Sequence, residues 1–444
     1  MTSPATFLFM PESAYGPTNN CVGIGHELLR RGHRVVFAAE ASWKGKLSAL
    51  GFEEDLVELA PPAEDAAEQD AGQFWKDYIA EVSPEFRKST QEQLETVTAP
   101  IWKELIDGAR YCEPQLRQII ERVQPDVIIE DNVLTFPALE TAGVPFVRIV
   151  SCNPLEVPGD AIAPAYSGLG EDAREEWTSF RAEYDRTHRQ MWSEFNAWVQ
   201  EQGAEPLPDL EFIHCGALNM YVYPEELDYV DARPLDDSWV RLDSSVRETD
   251  TDVEIPQDFL DRPGPLVYFS LGSLGSADVG LMRSVIEVLA ERPYRVIVSK
   301  GPRHAEIDLA DNMWGAEFLP QARILPLVDL VITHGGNNTT TEAMHFGKPM
   351  VLLPLFWDQY DNAQRVHERG YGRRLSTYRF TPEELRAAID DQLDDADHVA
   401  RLRTAGESIR SRRGLEARAS RLRPRQRPLS GSDPGRDGRD RLAG

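Results

Sequence analysis

The stretch Leu330-Val-Ile-Thr-His-Gly-Gly-Asn-Asn-Thr-Thr-Thr-Glu-Ala-Met-His-Phe346 decides the fold. Its first four residues are a short apolar run that reads as a buried strand. His334, Gly335 and Gly336 leave that strand, and Asn337 to Thr341 lead a helix that reaches about Phe346. Gly347 and Pro349 supply its stop signals. A second run, Met350–Leu353, passes through Trp357, Asp358 and Gln359 into another helical pattern. A glycine turn opening onto a helix start presents free backbone N–H groups and the positive end of a helix dipole, which suits a phosphate or diphosphate. Glu342 lies four residues after Asn338 on the same helix face, where a carboxylate can accept both hydroxyls of a ribose. Asp358 and Gln359 leave the next strand beside His334 and suit a polyol such as a sugar. Together these residues read as a site for a nucleotide sugar.

Outward from this block, strand and helix alternate in two stretches, which predicts βαβ units on parallel sheets. One runs from Leu266 to about Gly406. The other holds strand-like Phe7–Met10, Val35–Ala38, Asp126–Glu130 and Val144–Val150, a helix over Cys21–Arg31, and a last strand at Leu218–Tyr223. Gln73 to Val123 reads as two or three helices broken near Pro84, Pro100 and Pro114. Glu171 to Gln202 is one long amphipathic pattern carrying Trp177, Phe180, Tyr184, Phe195 and Trp198. That stripe serves either a domain core or an aromatic wall for a hydrophobic ligand. The expected organisation is a Rossmann-like domain over 1–224, an Asp- and Pro-rich linker over 225–265, a second Rossmann-like domain over 266–409, and a disordered basic tail over 410–444. Asp250 and Asp252 form an Asp-x-Asp in the linker; with no strand before it, it reads as linker and not as a metal site.

Composition bounds the function. With 444 residues and 41% hydrophobic content, the chain is long enough for two cores. No run of about 18 apolar residues exists, so no membrane span is expected. Cys21, Cys112, Cys152 and Cys215 lie far apart without zinc spacing, as in a reduced cytoplasmic chain. A formal charge of −27 argues against a nucleic-acid partner. Sequence leaves the assembly open between monomer and homodimer.

The block from Phe318-Leu-Pro-Gln321 through His334–Glu342 to Pro354-Leu-Phe-Trp-Asp-Gln359 resembles the donor-binding segment of family 1 glycosyltransferases, the UDP-glycosyltransferase superfamily, in its bacterial macrolide and natural-product form. The resemblance extends from about Phe7 to about Ala405 and is stronger in the second half. It implies an α/β fold of the GT-B type, with two Rossmann-like domains facing across a cleft. It also implies roles. Phe318 stacks on the nucleobase, and Gln321 sits near base and ribose. His334 contacts the diphosphate, Gly336 allows its close approach, and Asn338 with Thr339 caps it. Ser273, in Phe269-Ser-Leu-Gly-Ser273, lies close to the phosphates. Glu342 takes the ribose diol, and Asp358 with Gln359 takes the sugar hydroxyls. A closing helix in such proteins crosses back onto the first domain; Val399–Ile409 reads as its beginning, with nothing apolar to continue it.

Family members carry a catalytic His in the loop after the first strand, oriented by an Asp from a later strand. Here Pro17 stands where the His belongs, while Asp131 keeps the Asp position. A carboxylate without its His can serve as the base if burial raises its pKa, so Asp131 is the first candidate and Glu12, in the same loop, the second. His26 and His33 read as structural. The expected function is an inverting, metal-independent hexosyltransferase using a UDP- or dTDP-sugar as co-substrate, with no other cofactor and a small hydrophobic acceptor. The alternatives are a donor-binding auxiliary protein and a sugar-nucleotide epimerase.

Overall fold

A computed structural model describes residues 4–61, 81–246 and 253–412, with Gly414. Two all-parallel sheets organise it. The first has the order β3-β2-β1-β4-β5-β6-β7, built from Thr6–Pro11 (β1), Arg34–Phe37 (β2), Glu53–Glu54 (β3), Val127–Asp131 (β4), Phe146–Val150 (β5), Leu218–Tyr221 (β6) and Trp239–Arg241 (β7). The second has the order β10-β9-β8-β11-β12-β13, built from Leu266–Ser270 (β8), Arg295–Ser299 (β9), Met313–Ala316 (β10), Leu330–Thr333 (β11), Met350–Leu352 (β12) and Gly372–Arg374 (β13). The central strands are buried on both faces, which is why they read as unbroken apolar runs.

In each sheet the strand order reverses once, between β1 and β4 and between β8 and β11. Loops diverge at such a switch point and leave a crevice at the C-terminal strand ends. The two crevices are lined by Glu12, Tyr15, Pro17 and Asp131 on one side, and by Ser273, His334, Gly336 and Asn338 on the other. All of these border one shared cavity of about 650 Å³.

Three expectations change. The stretch 225–265 is not plain linker, because Trp239–Arg241 adds β7 to the edge of the first sheet. Three residues amid Asp and Pro are too short to show a strand period. The helix Ala99–Val123 runs through Pro114, while Pro100 sits in its first turn, where no N–H is needed. A π-helical turn, Leu94–Thr98, joins it to Thr90–Gln93, which starts at a Ser89–Glu92 capping box.

The third change is at the C-terminus. The last helix, Ala396–Arg412, extends past the expected break at 410. Leu402, Ala405 and Ile409 pack into the same cluster as Met344. Arg412 then reaches across to Glu226 at 2.8 Å and Asp243 at 3.0 Å. The crossing is made by charge, so no apolar signal marks it. The rest of the proposed tail, apart from Gly414, and Asp250 with Asp252 lie outside the described residues.

Candidate active site

The second-sheet side of the cleft is built on β8, β11 and β12. The helix Asn337–His345 starts at Gly336 with no side chain capping it, so its first N–H groups face the cleft. His334 lies between two glycines. A Cβ on Gly272 would come within 2.7 Å of the His334 ring, and one on Gly336 within 2.5 Å. Gly336 is therefore needed to seat the imidazole as well as any diphosphate. Burial lowers the His334 pKa to about 4, so the ring acts as a neutral hydrogen-bonding group. Ser273 lines the cleft after β8.

Gln321, Thr339 and Glu342 form one hydrogen-bonded group. Gln321 Nε2 donates to Glu342 Oε2 at 2.6 Å, and Thr339 Oγ1 donates to Gln321 Oε1 at 3.2 Å. Glu342 is buried. Phe318 is 43% exposed and lines the cleft, which suits a stacking platform and not a core residue.

Asp358 and Gln359 are more committed than sequence suggested. Asp358 Oδ2 accepts from the Asn153 backbone N–H at 2.9 Å and from Asn362 Nδ2 at 3.2 Å. Burial raises its pKa to about 7. Gln359 Oε1 accepts from the Leu355 N–H at 3.1 Å, fixing the loop before it. Within that loop Trp357 has φ 58°, a left-handed conformation unusual for a bulky residue. Its ring packs against Tyr166 and Trp102 of the first half, with centroids 4.4 and 5.5 Å apart.

Across the cleft, Asp131 ends β4 and is 2% exposed. Ser151 Oγ donates to its Oδ2, with the Cys21 thiol 3.8 Å from the same oxygen. Burial pushes its carboxyl well above the usual range, and the Ser151 hydrogen bond opposes that shift. Glu12 also lines the cleft, but its carboxylate accepts from Ser13 Oγ at 2.9 Å and the Ala14 N–H at 2.8 Å. It shapes its own loop. His26 and His33 contact backbone at Leu50 and Ala5, as structural histidines do.

A link that sequence missed joins the two halves. Asn20 Nδ2 donates to Ser151 Oγ at 2.8 Å and to Asn338 Oδ1 at 2.9 Å. Asn338 Nδ2 donates to the Gly16 carbonyl at 3.0 Å. Asn337 Nδ2 donates to the Ser151 and Val222 carbonyls at 2.7 and 3.0 Å. The Asn338 side chain is thus engaged by the first half, leaving its backbone N–H as its group at the helix start. Two signals pointed here. Asn20 sits inside a helix, where Asn is disfavoured, and Ser151, Cys152 and Asn153 immediately follow a buried strand.

Two parallel sheets meeting at facing switch points, with an anion-ready helix start opposite a buried carboxylate, define a GT-B glycosyltransferase architecture. The solved glycotransferase of kitacinnamycin is similar, with TM-score 0.68 and 21% identity, covering 95% of this chain and 99% of that one. Residues 259–404 match the family described as UDP-glucoronosyl and UDP-glucosyl transferase. The NDP-glycosyltransferase YjiC of Bacillus subtilis (strain 168) is 27% identical over 416 residues, 92% of this chain and 94% of the relative. The oleandomycin glycosyltransferase of Streptomyces antibioticus is 24% identical, over 90% of this chain and 86% of the relative. The chain carries this family's domain and is a glycosyltransferase that takes its sugar from a nucleotide sugar.

Proposed function

We propose that the protein transfers a hexosyl group, with inversion, from a UDP- or dTDP-sugar to a hydroxyl of a small hydrophobic natural product, with Asp131 as the base. One observation carries this reading: the Asn337 helix start and Asp131 border the same cavity. The nucleobase rests on Phe318, the ribose hydroxyls meet Glu342 beside Gln321, and Asp358 with Gln359 lies nearest the sugar. Charge developing on the leaving diphosphate is met by the helix N–H groups, Ser273 and neutral His334, so no metal or further cofactor is required. On the opposite face Asp131 takes the acceptor's proton as its oxygen attacks the anomeric carbon. A base kept in a dry site with a raised pKa suits an alcohol proton better than an ordinary carboxylate does. Among the described residues no helix is long and apolar enough to cross a membrane; work in the reduced cytoplasm fits four free cysteines.

Incubation with UDP-glucose or dTDP-glucose and a panel of phenols and macrolides, read by mass spectrometry, tests this proposal. Glycosylated product is expected. Donor binding without turnover would favour an auxiliary role, for which Pro17 in place of the His is the motive. An epimerised donor would point to epimerase chemistry.

A further inference from the structure

The link between the two halves has a direction. A backbone carbonyl can only accept, so beside Gly16 the Asn338 amide presents Nδ2, at 3.0 Å, and leaves Oδ1 toward Asn20. Asn20 answers with its own Nδ2 at 2.9 Å, and the same nitrogen donates to Ser151 Oγ at 2.8 Å. With a donor already aimed at its oxygen, the Ser151 hydroxyl turns its hydrogen to Asp131 Oδ2. Each step fixes the next, from a carbonyl to a carboxylate. No proton travels along it; only orientations are set.

The helix start of the second half therefore holds Ser151 twice. Asn337 Nδ2 donates to its carbonyl at 2.7 Å, and Asn338 reaches its hydroxyl through Asn20. Asn20 lies in the first helix, Tyr15–Arg30, and is 2% exposed, so water cannot take over its donors. A buried amide in a helix interior is costly unless its hydrogens are used.

Asp131 is poorly placed to stay ionised without such help. Glu12 faces it from the loop after β1, Glu130 from beside it on β4, and Glu156 from beyond β5, with the thiols of Cys21 and Cys152. Burial first, then Glu156 and Glu12, favours the protonated carboxyl, which cannot take a proton from an acceptor. The Ser151 hydrogen bond is the largest influence in the other direction, ahead of the Cys21 thiol.

We propose that Asn20 is a positioning residue of the transfer reaction, aiming the Ser151 hydroxyl at Asp131, and that Asn338 holds it in that orientation when the two halves meet. The base is then set by contact with the wall that receives the donor, and not by the first sheet alone. This rests on the transferase reading above.

The test titrates the infrared carboxyl band that is absent from D131N, in the full-length protein with dTDP bound. N20L keeps the shape of the side chain and removes both donors. Its band should titrate about one pH unit higher than in the wild type. N338A, which keeps the backbone N–H, should move the band the same way by less. Neither substitution should shift it further in an S151A background, because both act through that hydroxyl. Transfer from dTDP-glucose to a macrolide of the panel should fall about tenfold in N20L near neutrality and recover as pH rises. An unmoved band in N338A or in folded N20L, shifts that add to that of S151A, or a loss of transfer equal at all pH values would each overturn the assignment. A band that shifts as described while the wild type transfers no sugar would instead sink the transferase reading.

Discussion

The two walls of the cleft are assembled differently. On the donor wall, Phe318 to Gln359 lie within a short span of chain, and several of them hydrogen-bond to one another. On the proposed acceptor wall, Glu12, Asp131 and Ser151 come from three separate segments, at the ends of β1, β4 and β5, that meet only when the first sheet is formed. Anion recognition by a helix start is a local property, fixed by a glycine turn and the helix after it. Raising a carboxylate's pKa is not local, because it needs burial by residues distant in sequence. The donor wall is therefore legible as a motif and the acceptor wall is not.

Substitutions on the two walls should separate accordingly. D131N should cut transfer by about 10²- to 10⁴-fold while leaving UDP or dTDP affinity unchanged, read by initial rates and calorimetry. If it slows transfer less than severalfold, the base lies elsewhere and Glu12 is next.

S151A should be milder, with a distinct signature. Ser151 holds the Asp131 pKa down against burial, so its loss lets that pKa rise further. The active carboxylate then forms at higher pH, and the acid limb of the pH–rate profile moves to the alkaline side. Transfer should fall about tenfold near neutrality and recover as pH rises. A uniform loss at all pH values would reduce Ser151 to a structural residue.

F318A should weaken donor binding by about fivefold, the loss of roughly 1 kcal/mol of stacking, with little change in turnover of bound donor. Unchanged affinity would remove Phe318 from the nucleobase site.

The smallest effect concerns the join between the walls. Asp361 accepts from the Tyr166 and Gly168 N–H groups at 2.6 and 2.8 Å, and burial raises its pKa to about 8 from 3.8. Its folded pKa is raised, so the stability it contributes is full below about pH 4 and is lost as pH rises through about 8. Heating at pH 6 and pH 9 should show a melting temperature lower at pH 9 by roughly 2–4 °C, with the difference reduced in D361N. An unchanged difference in that variant would exclude Asp361 as the source.

Among the elements themselves, legibility followed length and period. The strands β1, β2, β4, β5, β6, β11 and β12 were read close to where they occur, because burial leaves continuous apolar runs. The edge strand β7 was missed because three residues carry no measurable period. Pro114 misled for a related reason: a proline is a breaker by local rules, yet a 25-residue helix packed along the first sheet absorbs it. Arg412 was hidden because an arginine-rich end looks unstructured until Glu226 and Asp243 are brought opposite it.

By itself, the order of residues determined two parallel α/β units and a glycine-led helix start, since hydrophobic period and glycine placement act over a few neighbouring residues. The chain's tertiary structure decided the rest. It set Asn20 between Ser151 and Asn338 and turned Asp358 toward Asn153. Such outcomes depend on which distant side chains share a low-dielectric space, and only the packed sheets bring them there.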